Sequence, residues 1–246
     1  CLQTVSHHDK NQDQQQSGRR TCFPGRAVSE KISKMQRYIA EVFGTFALVF
    51  VGTAAIASND LMGGELTAVG VALAFGLVVM AMVYAIGDIS GAHLNPAVTV
   101  GFWAAGRLHK SDLSPYILSQ CLGAVIASAM VWAIFPSETN LGTTVPTGGL
   151  LESFALEIVL TAILMFVILG VSSGAKEKGL MAGIAVGGTV ALASLCGGFI
   201  SGASMNPARS LGPAIVTGTL NDLWLYMVAP SLGAVLAVAA YKLITR

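Results

Sequence analysis

The sequence predicts an all-α membrane protein: six transmembrane helices plus two re-entrant half-helices, arranged as an inverted 3+3 repeat. Three observations lead there. The 246 residues are 54% hydrophobic and only 11% charged, less than half the charged fraction of an ordinary soluble domain. Six apolar stretches are each long enough to cross a hydrocarbon layer of roughly 30 Å, which takes about 20 helical residues. The tripeptide Asn-Pro-Ala occurs twice, at Asn95-Pro96-Ala97 and Asn206-Pro207-Ala208, each led in by Ser-Gly-Ala (Ser90–Ala92, Ser201–Ala203) and one in each half.

Residues 1–34 come first. They are polar, Gln-rich over Gln12–Gln16, and bury too little apolar surface to fold, so a disordered cytoplasmic tail is expected. The membrane domain follows over 35–243, its first repeat about 35–135 and its second about 150–243. Its spans are expected near Met35–Ala57, Leu66–Ile86, Ser114–Phe135, Glu152–Val171, Gly179–Phe199 and Leu223–Leu243. The runs lack period-two alternation and are too long for barrel strands, so helices are expected. The first and fourth spans both carry Glu with Thr four residues on, Glu41/Thr45 and Glu157/Thr161. Three spans per half is odd, so the second half enters from the opposite side, and functional sites belong where the halves meet.

Charge sets the orientation. Of the 14 Lys and Arg residues, all but Arg209 fall in the tail, near Arg107–Lys110 and Lys176–Lys178, or at Lys242 and Arg246. With six spans these share one side, and the positive-inside rule makes it the cytoplasm. Both termini are therefore expected there, in a plasma or inner membrane. No basic stripe points to nucleic acid, and the four cysteines have no metal or disulfide spacing. The Pro136–Leu150 connection, with no lysine or arginine, reads as a plain external connector.

Asn is a strong helix N-cap, and Pro suits the next position because its N–H is not needed there. Short helices are therefore expected from Pro96 to about Ala105 and from Pro207 to about Val216. Unlike Asp, Ser or Thr, Asn caps with its oxygen and keeps an NH₂ for the lumen. Two such amides at mid-membrane, Asn95 and Asn206, would hold a passing water by its oxygen. With the positive ends of two half-helices beside them, they would repel cations and interrupt a proton-carrying chain. The runs before the caps must be non-helical, which membrane depth tolerates only along a wet cavity or inside protein. Gly91, Ala92 and His93, with Gly202, Ala203 and Ser204, are small or polar enough to offer carbonyls to a lumen, with apolar side chains opposite. His93 has a second reading, as a hydrogen-bonded loop histidine.

The segments Ser-Gly-Ala-His-Leu-Asn-Pro-Ala-Val-Thr (90–99) and Ser-Gly-Ala-Ser-Met-Asn-Pro-Ala-Arg-Ser (201–210) resemble the signatures of the aquaporins, the major intrinsic proteins. The resemblance runs from about Met35 to Lys242. It implies an aquaporin-like channel domain with one pore per subunit, a homotetramer, and Glu41 and Glu157 as buried braces for the re-entrant loops. An unsatisfied carboxylate at that depth costs about 2.5 kcal/mol or more. The family's outer constriction maps to Phe75, Ser194, Ala203 and Arg209. Water-selective members place His and a larger residue where this chain has Ser194 and Ala203, so a wider, less polar opening is implied. Glycerol facilitators carry an acid and a base where Ser210 and Ala214 stand, and a Pro-Leu pair where Tyr226-Met227 stands. The run 200–214 is similar to the nodulin-26-like branch and its bacterial relatives. Asp88 departs from that pattern, since many relatives have His there.

The resemblance implies a passive channel for water and small uncharged solutes, glycerol and metalloid hydroxides such as arsenous acid among them, excluding protons and ions. A strictly water-selective pore is the alternative. A structural or adhesion protein with a vestigial pore is a second class, against which the isolated Arg209 speaks. An ion-coupled transporter would need intramembrane acids facing a substrate, and only Glu41 and Glu157 are candidates. No nucleophile–base pair, metal cluster, phosphate loop or cofactor motif points to an enzyme.

Overall fold

The computed structural model describes residues 32–135, 140–173 and 180–245, so nearly all of the expected tail lies outside the described residues. Among them the helices are α1 (Lys34–Leu61), α2 (Thr67–Ser90), α3 (Pro96–Ala104), α4 (Lys110–Ile134), α5 (Leu150–Val171), α6 (Ala182–Ser201), α7 (Pro207–Thr217) and α8 (Leu223–Ile244). Six are long and apolar enough to cross a membrane, and the short α3 and α7 are the half-helices.

Helix ends differ from the hydropathy reading by a few residues, because capping decides them. At α1, Ser33 Oγ accepts from Gln36 N–H at 3.2 Å and Gln36 Oε1 accepts from Ser33 N–H at 2.7 Å. That reciprocal pair starts the helix at Lys34, on polar residues that hydropathy assigns to a tail. His109 Nδ1 likewise accepts from Ser111 N–H and opens α4 four residues before the apolar run begins.

The packing repeats itself. Helix α1 lies on α4 and α2 as α5 lies on α8 and α6, while α4 packs on α7 as α8 packs on α3. Helices α2 and α6 cross each other between the halves. Small residues make these contacts close, since apolar burial does not drive helices together in lipid. A Cβ on Gly76 would meet Gly187 O, and one on Gly187 would meet Gly76 O. A Cβ on Gly123 would meet the Val42 carbonyl, and one on Gly233 the Ile158 carbonyl. Large apolar side chains such as Phe199 and Leu118 point outward, where lipid is a better solvent than water.

Candidate functional site

Each re-entrant loop begins where a long helix stops on a left-handed glycine, Gly91 (φ 88°) after α2 and Gly202 (φ 77°) after α6. The chain then takes positive φ at non-glycine residues: Ala92 (46°) and Leu94 (55°) in the first loop, Ala203 (42°) and Met205 (52°) in the second. Each such residue costs on the order of 1–3 kcal/mol unless its surroundings enforce it. The enforcement comes from the two buried glutamates. Glu41 accepts from Ser90 Oγ (2.6 Å), His93 N–H (2.9 Å), Leu94 N–H (2.8 Å) and Gln120 Nε2 (2.8 Å). Glu157 accepts from Ser201 Oγ (2.8 Å), Ser204 N–H (2.7 Å) and Met205 N–H (2.7 Å). With these N–H groups turned toward the carboxylates, the loops keep a fixed irregular shape at a depth where unpaired backbone is costly.

The loops meet at the caps. Asn95 Oδ1 accepts from Ala97 N–H, and Asn206 Oδ1 from Ala208 and Arg209 N–H. Pro96 and Pro207 occupy the first helical positions. Each amide also reaches the opposite loop: Asn95 Nδ2 donates to Met205 O at 2.7 Å, and Asn206 Nδ2 to Leu94 O at 2.8 Å. An NH₂ has two hydrogens, so the cross-loop bond uses one and leaves one. The sequence reading gave both to the lumen; the structure shows that one stitches the halves together.

Both amides line a cavity of about 110 Å³ shared by the two halves. Gly91, Ala92, His93, Ala203 and Ser204 line it, as do Phe75, Ser194 and Arg209, while Gly202 is not among its lining residues. Gly202 instead turns the chain, with Thr144 against it. His93 lies where its two readings meet. It faces the cavity and also a wider vestibule of about 930 Å³ that Asp88 and Arg107 line, while its Nδ1 lies 3.1 Å from Thr99 Oγ1 and its ring stacks on Phe102.

Arg209 is buried, its guanidinium 5.0 Å from the centre of the Phe75 ring and donating to Gly142 O at 2.5 Å. That second contact corrects the plain-connector reading of 136–150, of which 136–139 lie outside the described residues. Thr144 Oγ1 donates to Ser210 Oγ at 2.7 Å, which lies 2.6 Å from Ser204 Oγ, and Gly148 N–H donates to Ile200 O. The connector therefore holds the second loop and its arginine. Composition could not reveal this, because a backbone carbonyl is the same in every residue. Tyr116 and Tyr226 were also missed. They donate to Ser90 O and Ser201 O, both at 2.8 Å, and only aligning the halves at an offset near 110 marks them as a pair.

The profile of the major intrinsic protein family matches residues 28–241. The chain is 46% identical to Aquaporin NIP1-1 of Zea mays over 219 residues, 89% of this chain and 78% of the relative. It is 40% identical to Nodulin-26 of Glycine max, over 85% and 78% of the two chains. The crystal structure of the aquaglyceroporin from Plasmodium falciparum superposes with a TM-score of 0.79 at 25% identity, covering 87% of this chain and 97% of that one. Paired half-helices, crossed capping amides and a match along nearly the whole membrane domain lead to one assignment: the chain belongs to the major intrinsic protein family.

Proposed function

We propose that the protein is a passive channel for water and small uncharged solutes such as glycerol, and metalloid hydroxides such as arsenous acid, excluding protons and ions. The crossed Asn95 and Asn206 amides carry this reading. Each keeps one donor for a solute oxygen at the point where two half-helix N-termini place about half a positive charge each. A cation is repelled there, and a water held by its oxygen cannot pass a proton along the file. Phe75, Ser194, Ala203 and Arg209 form the outer constriction: Arg209 offers donors, Phe75 an apolar wall, and the small Ser194 and Ala203 leave room for a polyol. The relatives named as aquaporins and the aquaglyceroporin structure support the solute class. The working unit is a homotetramer with one pore per subunit, with N- and C-termini in the cytoplasm and residence in a plasma or inner membrane.

Stopped-flow measurements on proteoliposomes test this. Water and glycerol fluxes should both exceed those of empty vesicles, without proton leak. The Ser194→His/Ala203→Thr variant should suppress glycerol and spare water. Water flux equal to that of empty vesicles removes the channel reading; glycerol flux at the lipid background, with water intact, leaves a water-selective pore.

A further inference from the structure

Helices α2 and α6 and the loops and half-helices that follow them correspond at a single offset. Asn95 and Asn206, Ser90 and Ser201, and the mutually packed Gly76 and Gly187 are each 111 residues apart. Applied to the outer four, the same offset carries Phe75 to Val186, Ser194 to Val83, Ala203 to Ala92 and Arg209 to Val98. Because the repeat is inverted, these mates lie in the opposite half of the same cavity, and all four line it. Val98 and Val186 are buried at 3% and 8% exposure, so beyond the cavity they line they have little open surface. None of the four side chains carries a polar atom.

We propose that Val83, Ala92, Val98 and Val186 form a second, apolar selectivity collar in the half opposite Arg209, and that this collar sets discrimination among neutral solutes by the arrangement of their polar groups. The proposal rests on the channel reading above. At the outer four, a solute that sheds water is repaid by the guanidinium. Among the described residues on the collar's side of the cavity, the polar partners are the loop backbone, the His93 ring and Ser172, whose hydroxyl already donates to Ile168 O. A solute passes easily if it can turn its hydroxyls to these groups and its C–H groups to the valines. Glycerol has such a face. Urea does not, since its N–H and C=O groups surround the molecule, and each unpaired one is costly in a dry passage. Water keeps hydrogen bonds to its neighbours in file and is affected least.

The experiment is a solute panel on proteoliposomes carrying Val83→Thr/Val186→Thr, which adds two hydroxyls with little change of shape. The urea-to-glycerol permeability ratio should rise about fivefold, the worth of about one neutral hydrogen bond, while water flux stays within about twofold of wild type. Ser194→Val, the reverse exchange on the outer side, should move the ratio far less. An unchanged ratio with intact water flux overturns the collar. If the double variant carries no water, Val98→Thr alone is read in the same way, and loss of water flux in that variant too overturns the collar, leaving these residues a packing role. Wild-type vesicles that conduct water but neither solute strike the solute-channel reading on which the collar rests and leave a water-selective pore, and vesicles that conduct no water either strike the channel reading itself.

Discussion

The two re-entrant loops solve one problem with different third partners. In the first, His93 and Thr99 sit 3.1 Å apart, and Gln120 Nε2 from α4 donates to both Thr99 Oγ1 (2.9 Å) and Glu41. In the second, Ser204 and Ser210 take the matching places, but the residue matching Gln120 is Pro230, which has no side-chain donor. This follows from Tyr116/Tyr226 and Gly123/Gly233, each 110 apart and each making the same contact in its own half. Thr144 of the connector between the halves supplies the missing bond, donating to Ser210 at 2.7 Å. One loop is thus braced by a spanning helix and the other by the buried part of the connector. An inverted repeat with the same backbone can therefore hold one loop from the helical core and leave the other dependent on the connector.

The largest expected effect separates the two glutamates. Glu41→Gln and Glu157→Gln each strand one backbone N–H against a new NH₂. In the first half, however, Gln120 Oε1 is buried without a partner among the described residues. Its amide can turn and accept from the new NH₂, whereas Pro230 cannot. Glu157→Gln should lower stability by about 3 kcal/mol and Glu41→Gln by about 1 kcal/mol less, read as unfolding midpoints in detergent. Adding Gln120→Leu to Glu41→Gln should erase that advantage. Equal losses from the two single changes break the comparison.

A substitution shared by both halves sharpens it from the other side. Gly123→Ala and Gly233→Ala would each push a methyl into a carbonyl of the facing helix, Val42 in one case and Ile158 in the other. Overpacking of this kind costs about 2 kcal/mol. The two variants should lose the same amount within about 0.5 kcal/mol, since the contacts are equivalent and independent. A large difference would mean that the symmetry of the α1–α4 and α5–α8 contacts is only apparent.

How legible these features were in sequence depends on their range. Spans, caps and inversion were readable because hydropathy, Asn-Pro-Ala and the spacing from each glutamate are patterns along the chain. The glutamates could be named as braces only through the family resemblance, since a lone intramembrane Glu is equally a transport residue until its donors are seen. Gln120, Thr144 and the Gly142 carbonyl left no trace. Each acts on a residue 21 to 79 positions away, and nothing in its own neighbourhood calls for a partner. Gly202 was grouped with the lining residues because it is small, but it serves as the left-handed turn beside Thr144.

The connector provides a smaller and more directional effect. Thr144→Val keeps the shape and removes the donor to Ser210, which retains Ser204 as a partner. Stability should fall by only about 1 kcal/mol. Function should respond more, because Ser210 directly follows Arg209, and the same connector holds the guanidinium through Gly142 O. Glycerol flux should drop about threefold relative to water in proteoliposomes as Arg209 loses its fixed position, on the scale of one neutral hydrogen bond. The first-loop counterpart Gln120→Leu should weaken the fold more and change the flux ratio less. The reverse ranking would mean that the helix, not the connector, governs the position of Arg209.

The smallest effect lies where the halves agree and neither uses its polar atom. Thr45 and Thr161, each four residues after its glutamate, are fully buried with hydroxyls that have no hydrogen-bond partner among the described residues. Burying an unpaired hydroxyl is unfavourable, and exchanging it for a methyl of similar shape removes that cost. Thr45→Val and Thr161→Val should each leave the unfolding midpoint unchanged or raise it slightly, with water flux intact. Loss of more than about 1 kcal/mol in either would reveal a bound water joining that hydroxyl to its glutamate. If only Thr161→Val showed the loss, water would be taking the place in the second half that Gln120 fills in the first.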